Sequence, residues 1–314
     1  MRELGKTGLK TPPLVLGGNV FGWNVDEATS FAILDRFVAA GGTMIDTADS
    51  YSAWVPGHQG GESERVIGAW LARRGRRDDV LIATKVGMLP GAGGEGLKPA
   101  RIAAAVDESL RRLGTDYIDL YYAHRDDPAT PIEAVMEVFG GLVNAGKVRV
   151  LGASNFSAER LGEALAVSAH EALPAYGVLQ PEYNLMSRDS YEGALQDLCV
   201  RHAIGVLPYY GLASGFLTGK YRSEGDFAGR MRGQHAATYF NDRGRAVLAV
   251  MDAIAAETGA TLAQIALAWA AAQPGVTAPI ASATSTAQLD ELLGVLDLTL
   301  SADQCARLDA ASRG

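Results

Sequence analysis

The chain has 314 residues, is 48% apolar and 20% charged, and carries 28 basic against 36 acidic side chains, a formal charge of −8. That composition allows a large core and excludes disorder, and the negative balance argues against a nucleic-acid partner, which needs a basic face. Cys199 and Cys305 show no metal spacing, the N-terminus has no apolar signal region, and no long uncharged apolar run exists, so the expectation is a cytoplasmic protein with reduced thiols and no membrane span.

In chain order, residues 2–4 and 9–11 flank Gly5-Lys6-Thr7-Gly8 and read as a β-hairpin. A strand at 14–17 precedes a helix at 26–40, with Ala28, Phe31, Leu34 and Val38 as its apolar stripe and Gly41-Gly42 as its stop. Residues 43–46 form a second strand. Helix 62–74 follows, with acids in its first turn, Arg73-Arg74 in its last and Gly75 beyond, as the helix dipole favours. The third strand is 80–85, and helix 99–113 opens on a proline and ends at Gly114. A fourth strand at 117–124 leads to Thr130-Pro131-Ile132-Glu133, which spells a capping box for a helix running to Ala145. Strand and helix then recur at 148–154 and 157–169, and at 177–180 and 191–202, before a seventh strand at 205–209. Residues 211–242 are rich in Gly and Arg without a clear period and read as one long functional loop. Helices at 243–258 and 262–272 precede an eighth strand at 276–280, a helix at 286–296 and a terminal helix capped by Ser301-Ala302-Asp303-Gln304.

Each crossover helix returns the chain to the same end of the sheet, so these repeats imply parallel strands. Eight of them without a charged or proline-rich linker favour an α/β fold: a closed (β/α)8 TIM barrel, one domain over 1–314, with an N-terminal β-hairpin as a plug and a C-terminal helix.

Active sites of such barrels lie at the C-terminal strand ends. The second strand ends on Asp46, with Tyr51 just beyond it, the third on Lys85 and the fourth on His124. The fifth ends on Ser154-Asn155, the sixth on Gln180 and the seventh on Tyr209. A tyrosine hydroxyl is a proton donor at neutral pH, and a neighbouring ammonium pulls its pKa down toward the working range. Asp46 would hold Lys85 charged and aimed, and His124 would orient a carbonyl oxygen. Together these groups suit protonation of an alkoxide as it forms, as the reduction of an aldehyde or ketone requires, with the hydride coming from a cofactor.

The motifs that carry these residues are D-T-A-D-S-Y (Asp46, Tyr51), A-T-K-V-G (Lys85), Y-Y-A-H-R-D-D-P (His124), L-G-A-S-N-F and L-Q-P-E-Y-N-L. With them the chain resembles the aldo-keto reductases over nearly its whole length. The resemblance implies that Asp46, Tyr51, Lys85 and His124 are the catalytic tetrad of an NAD(P)H-dependent carbonyl reductase. It also implies that Ser154, Asn155 and Gln180 contact the nicotinamide, that Tyr209 stacks on it, and that Leu212, Ser214 and Lys220 cradle the pyrophosphate. Where many members carry Lys or Arg for the 2′-phosphate of NADP, this chain has Ala281-Ser282-Ala283-Thr284, and Gln288 beyond. Hydroxyls do not supply the charge-assisted bond that a phosphate takes from a cation. The family habit implies NADP(H), with Ser282, Thr284 and Gln288 at that end. NAD(H) stays open unless Arg222, Arg230 or Arg232 of the long loop supplies the charge.

Phe21, Trp23, Trp54 and Met88 are placed on the rim as substrate contacts, which points to a small apolar or aromatic carbonyl compound. Plainer readings stand beside these. Asp46 with Lys85 also reads as a structural ion pair, Lys220 as a solvated lysine, and either Tyr209 or Tyr210 as the inward ring. Gly91-Ala92-Gly93-Gly94-Glu95-Gly96 spells GxGxxG between a strand and a helix. Residues 86–90 separate it from the strand and Asp119 does not end its own strand, so it reads as a mobile barrel loop and not a Rossmann site. A cofactor-binding regulatory subunit of the potassium-channel β-subunit kind, which resembles this family, is the alternative function. The complete tetrad and the lack of an extra N-terminal segment argue against it. No histidine spacing suggests a metal, and no sequence feature sets the oligomeric state.

Overall fold

The computed structural model describes residues 1–230 and 232–313. β1 (Arg2–Glu3) and β2 (Lys10–Thr11) pair antiparallel as the hairpin. The main sheet is parallel throughout. Its order is β10 (Ile280–Ala281), β3 (Val15–Gly17), β4 (Met44–Asp46), β5 (Leu81–Val86), β6 (Ile118–Ala123), β7 (Val148–Ser154), β8 (Tyr176–Gln180) and β9 (Gly205–Val206). The two edges meet. Thr277 N donates to Val206 O and Ile280 N to Pro208 O, both at 2.8 Å, so the sheet closes into a (β/α)8 barrel.

Outside it lie α1 (Glu27–Ala39), α2 (Glu62–Arg74), α3 (Pro99–Leu113), α4 (Ile132–Asn144), α5 (Ala158–His170) and α6 (Ala194–His202). After α7 (Gly233–Ala237) come α8 (Asp242–Thr258), α9 (Leu262–Ala271), α10 (Thr286–Leu293) and α11 (Ala302–Ser312). Among the described residues no single helix is long and apolar enough to cross a membrane.

Two apolar clusters follow from strand alternation. The outer one fills the space between strands and helices, and includes Leu16, Ile45, Ile82 and Tyr121. The inner one fills the barrel with Val15, Met44, Ala83, Leu120, Tyr122, Val178, Leu207 and Ile280, and the hairpin's Leu4 and Leu9 close its floor. Gly152 is required inside the barrel, because a Cβ there would sit 2.4 Å from the Tyr122 ring.

Several expectations are corrected. The capping box at 130–133 does not form. Pro131 is the N-cap without a side-chain bond, and Thr130 Oγ1 donates to Asp127 Oδ2 at 2.8 Å instead. The seventh and eighth strands are shorter than their apolar runs, since Pro208 and Pro279 have no N–H to give to a ladder. The segment after β9 is not one structureless loop: it holds 3-10 turns at Ala213–Thr218 and Glu224–Phe227 as well as α7.

Candidate active site

The parity that fills the barrel also builds the site. Interior positions recur every second residue, so Met44 leads to Asp46, Ala83 to Lys85, Tyr122 to His124, Val178 to Gln180 and Leu207 to Tyr209. These side chains emerge at the C-terminal end of the sheet, over the inner cluster.

Lys85 is wholly buried, and its three donors are all engaged: Nζ lies 2.6 Å from Asp46 Oδ2, 2.7 Å from Thr47 O and 2.8 Å from Tyr51 Oη. Tyr51 Oη in turn donates to Asp46 Oδ2 at 3.2 Å, and Gln180 Nε2 donates to Asp46 Oδ1 at 2.8 Å. His124 stands on the other side of Tyr51, with ring centroids 6.0 Å apart, and its Nδ1 is 3.5 Å from Ser50 Oγ. Asn155 Nδ2 donates to the His124 carbonyl at 2.9 Å, and Asn155 Oδ1 accepts from Tyr209 Oη at 2.7 Å. Asn155 has a left-handed φ of +56°, which asparagine tolerates better than most residues.

Burial governs the protonation states. It pushes the Tyr51 phenol well above its ordinary pKa, and the Asp46 carboxylate adds to the rise. Burial and Asp46 outweigh any lowering by Lys85, so the phenol keeps its proton in the absence of substrate. Burial also lowers the Lys85 ammonium, against the pull of Asp46. It lowers His124 well below the usual imidazole value, helped by the charges of Lys85 and Arg125, so His124 is neutral at pH 7. A neutral imidazole with one N–H is a hydrogen-bond donor to an oxygen without being a competing acid.

The site opens into a cavity of about 960 Å³. Asp46, Tyr51 and His124 line it, as do Ser154, Asn155, Gln180, Tyr209, Leu212, Ser214, Lys220, Ser282, Thr284 and Gln288. Ser282 Oγ donates to Asn19 Oδ1 at 2.6 Å, and Thr284 N and Oγ1 both donate to Gln288 Oε1 at 2.9 Å. A Cβ on Gly17 would come 2.5 Å from Ser282 Oγ, so glycine keeps this wall open. Ala213, Ser214 and Gly215 all take left-handed φ, a tight turn beside which Lys220 sits. Burial, then the charges of Arg230 and Arg232, lower the Lys220 pKa, so three cations crowd one end of the cavity. Arg222 is not among them. It makes a two-pronged ion pair with Asp252 at 2.7 and 2.8 Å and does not line the cavity.

Residues 13–313 match the model of the Aldo/keto reductase family. The chain belongs to the aldo-keto reductases. As such it is an oxidoreductase. It is 34% identical over 308 residues to an aldo-keto reductase of Bacillus subtilis, covering 96% of this chain and 88% of that one. It is similar to a probable voltage-gated potassium channel subunit beta of Arabidopsis thaliana, at 33% over 305 residues, 95% of this chain and 91% of the other. The L-glyceraldehyde 3-phosphate reductase of Escherichia coli K12 is 31% identical over 320 residues, 98% of this chain and 91% of the relative.

Within this aldo-keto reductase, Trp54 and Met88 line the cavity as expected of rim residues. Phe21 does not. It is fully buried in the outer core, because the turn at Gly18–Val20 folds its ring inward. Trp23 is also outside the lining and packs edge-on against Trp54 at 5.4 Å. Ser50, Asn19 and Glu291 line the cavity without having been expected there, and Tyr210 lines it together with Tyr209. Ser50 lies inside the D-T-A-D-S-Y motif, the one signal that pointed to it. The Gly91–Gly96 loop is no nucleotide fingerprint. Arg101 Nη1 donates to Ala92 O at 3.1 Å and Nε to Leu89 O at 3.2 Å, which ties the loop down onto α3.

Proposed function

We propose that this aldo-keto reductase reduces aldehydes or ketones to alcohols reversibly, with NADP(H) as cofactor and Tyr51 as the general acid. The observation that carries the reading is the Asp46–Lys85–Tyr51 chain of bonds at 2.6 and 2.8 Å on the cavity floor. Tyr51 keeps its proton until negative charge builds on a substrate oxygen, and Lys85 then stabilises the phenolate that remains. Asp46 is held by Gln180 and positions Lys85. Neutral His124 donates to the same carbonyl oxygen. A nicotinamide bound beside Tyr209 and Asn155 would supply the hydride. Arg230 and Arg232 favour the extra 2′-phosphate of NADP over NAD, offering charge where Ser282 and Thr284 offer hydroxyls, while Lys220 serves the pyrophosphate. The protein fits the cytoplasm, where its two free cysteines stay reduced.

Tyr51→Phe tests the assignment. NADPH should bind with near-native affinity while kcat for a carbonyl falls by at least ~100-fold. Undiminished turnover would refute Tyr51 as the acid. The similarity to a probable channel subunit beta keeps a second reading, a cofactor-binding regulatory subunit with little turnover. Tight NADPH binding without oxidation by any of a panel of aldehydes would favour it.

A further inference from the structure

Among the described residues five large apolar side chains are exposed, and three of them line this one cavity: Trp54 (52%), Tyr210 (39%) and Met88 (38%). Scattered exposed apolar residues are ordinary, but a group gathered at a cavity mouth marks a ligand surface. Two of the three are rings held in place. Trp23 braces Trp54 edge-on at 87°, and Tyr51 meets Trp54 at 6.2 Å. Tyr210 has a φ of +57°, a left-handed conformation that a bulky residue avoids. Its carbonyl accepts from Asn184 Nδ2 at 3.0 Å and from Ala213 N at 2.7 Å, which fixes that state. Its ring stands edge-on to Tyr209 at 5.1 Å, and it lies near enough to Tyr51 to influence the phenol.

We propose that Trp54 and Tyr210 determine specificity, clamping the ring of a planar, uncharged aryl aldehyde or ketone whose carbonyl reaches Tyr51. The proposal rests on the carbonyl-reductase reading. Charge points the same way. The cavity's cations gather around Lys220, where the cofactor phosphate is assigned, and Arg125 beside His124 is not among the lining residues. A phosphorylated triose would leave both rings uncovered and meet no cation at the mouth.

The test is steady-state reduction of 4-nitrobenzaldehyde, propanal and glyceraldehyde 3-phosphate with NADPH, by the native protein, Trp54→Ala and Tyr210→Asn. Asparagine accepts the left-handed backbone, so Y210N removes the ring without breaking the turn. The native protein should prefer the aryl aldehyde. Its aryl-to-propanal ratio of kcat/KM should fall at least ~10-fold in each variant, while Y210N melts no lower than the native protein. Preference for glyceraldehyde 3-phosphate, or an unchanged ratio in both variants, overturns the clamp. Should no carbonyl turn over, the reductase reading fails alone, and tryptophan quenching by 4-nitrobenzyl alcohol decides the clamp. Saturable quenching that weakens in both variants supports it, and no saturable binding overturns it.

Discussion

Asp49 lies between Asp46 and Tyr51 in the chain, yet it serves a different environment. Its side chain is fully buried, neither carboxylate oxygen has a hydrogen-bond partner, and Arg101 Nη2 stands 3.6 Å away. Burial, then the charge of Glu64, raises its pKa to about 7, with Glu108 adding and Arg101 and Arg112 opposing. The groups around it are thus two acids, two guanidiniums, the Lys85 ammonium and the buried Tyr121 hydroxyl. The consequence for stability has a definite sign. An unfolded Asp49 ionises near the ordinary aspartate value of 3.8, whereas the folded one keeps its proton up to about 7. The folded state then binds more protons across that window, so this residue costs more stability as pH rises through it, and the cost levels off above about 7. Asp49→Asn removes the titration. Its melting temperature relative to the native protein should therefore rise between pH 5 and pH 8, as scanning calorimetry at both values would register. A difference independent of pH would show that Asp49 is not held protonated.

At the scale of elements, the segment between β9 and α8 matters most. It brings Tyr210, Leu212, Ser214, Lys220, Arg230 and Arg232 to one wall of the cavity. Arg230 and Arg232 differ from the hydroxyls of Ser282 and Thr284 in offering a charge-assisted bond to phosphate. Replacing either arginine with alanine should weaken NADPH binding about 10-fold. The ratio of NADPH to NADH affinity should fall with it, and added salt should shrink the effect. Equal losses for both nucleotides in a fluorescence titration would remove the arginines from 2′-phosphate recognition. This segment was also the least legible part of the sequence. Its 3-10 turns and α7 are four to six residues long, too short for a 3.6-residue period to register. By contrast, α2 and α3 were legible to the residue, because glycine or proline punctuates their ends. The strand ends were legible because a two-residue alternation fixes which side chain faces inward. Hence Asp46, Lys85, His124 and Gln180 could be read from the chain, whereas alternation alone left Tyr209 and Tyr210 open, and the structure's inward Leu207 gives Tyr209 the inward parity. Phe21 and Trp23 were misplaced for a simple reason: an aromatic type does not distinguish a rim from a core.

At the scale of the molecule, the barrel closes by joining parts of the chain far apart in sequence, and two arginines clasp that closure. Arg2 Nη1 donates to Ala271 O at 2.6 Å and Thr277 O at 3.1 Å, tying the first strand to the segment that seals the sheet. Arg188 does the larger share. It is 6% exposed and lies 5.2 Å from the Trp269 ring of α9. It donates to Glu192 at 2.7 and 3.0 Å, ahead of α6, and in α11 to Asp309 Oδ1 at 3.0 Å and Ser312 Oγ at 2.7 Å. Trp269 Nε1 donates to the same Asp309 oxygen at 3.0 Å, and Tyr183 Oη to Glu192 at 2.6 Å. One guanidinium thereby joins the C-terminal helix to α9 and to the segment ahead of α6, beside the Trp269–Asp309 bond. Removing it strands two half-buried carboxylates and an indole face at once, and truncating one partner of a buried pair is the costly kind of change. Arg188→Ala should lose roughly 3 kcal/mol and melt about 5–10 °C lower. Arg188→Lys should recover only part of the loss, because a lysine carries no planar fork for Glu192 and Asp309 together. Neither Arg188 nor its ion-pair partners line the cavity, so NADPH affinity measured well below the melting range should stay close to native. A variant as stable as the native protein would mean that the apolar face of α11, with its bonds from Trp269 and to Glu257, holds the helix without Arg188.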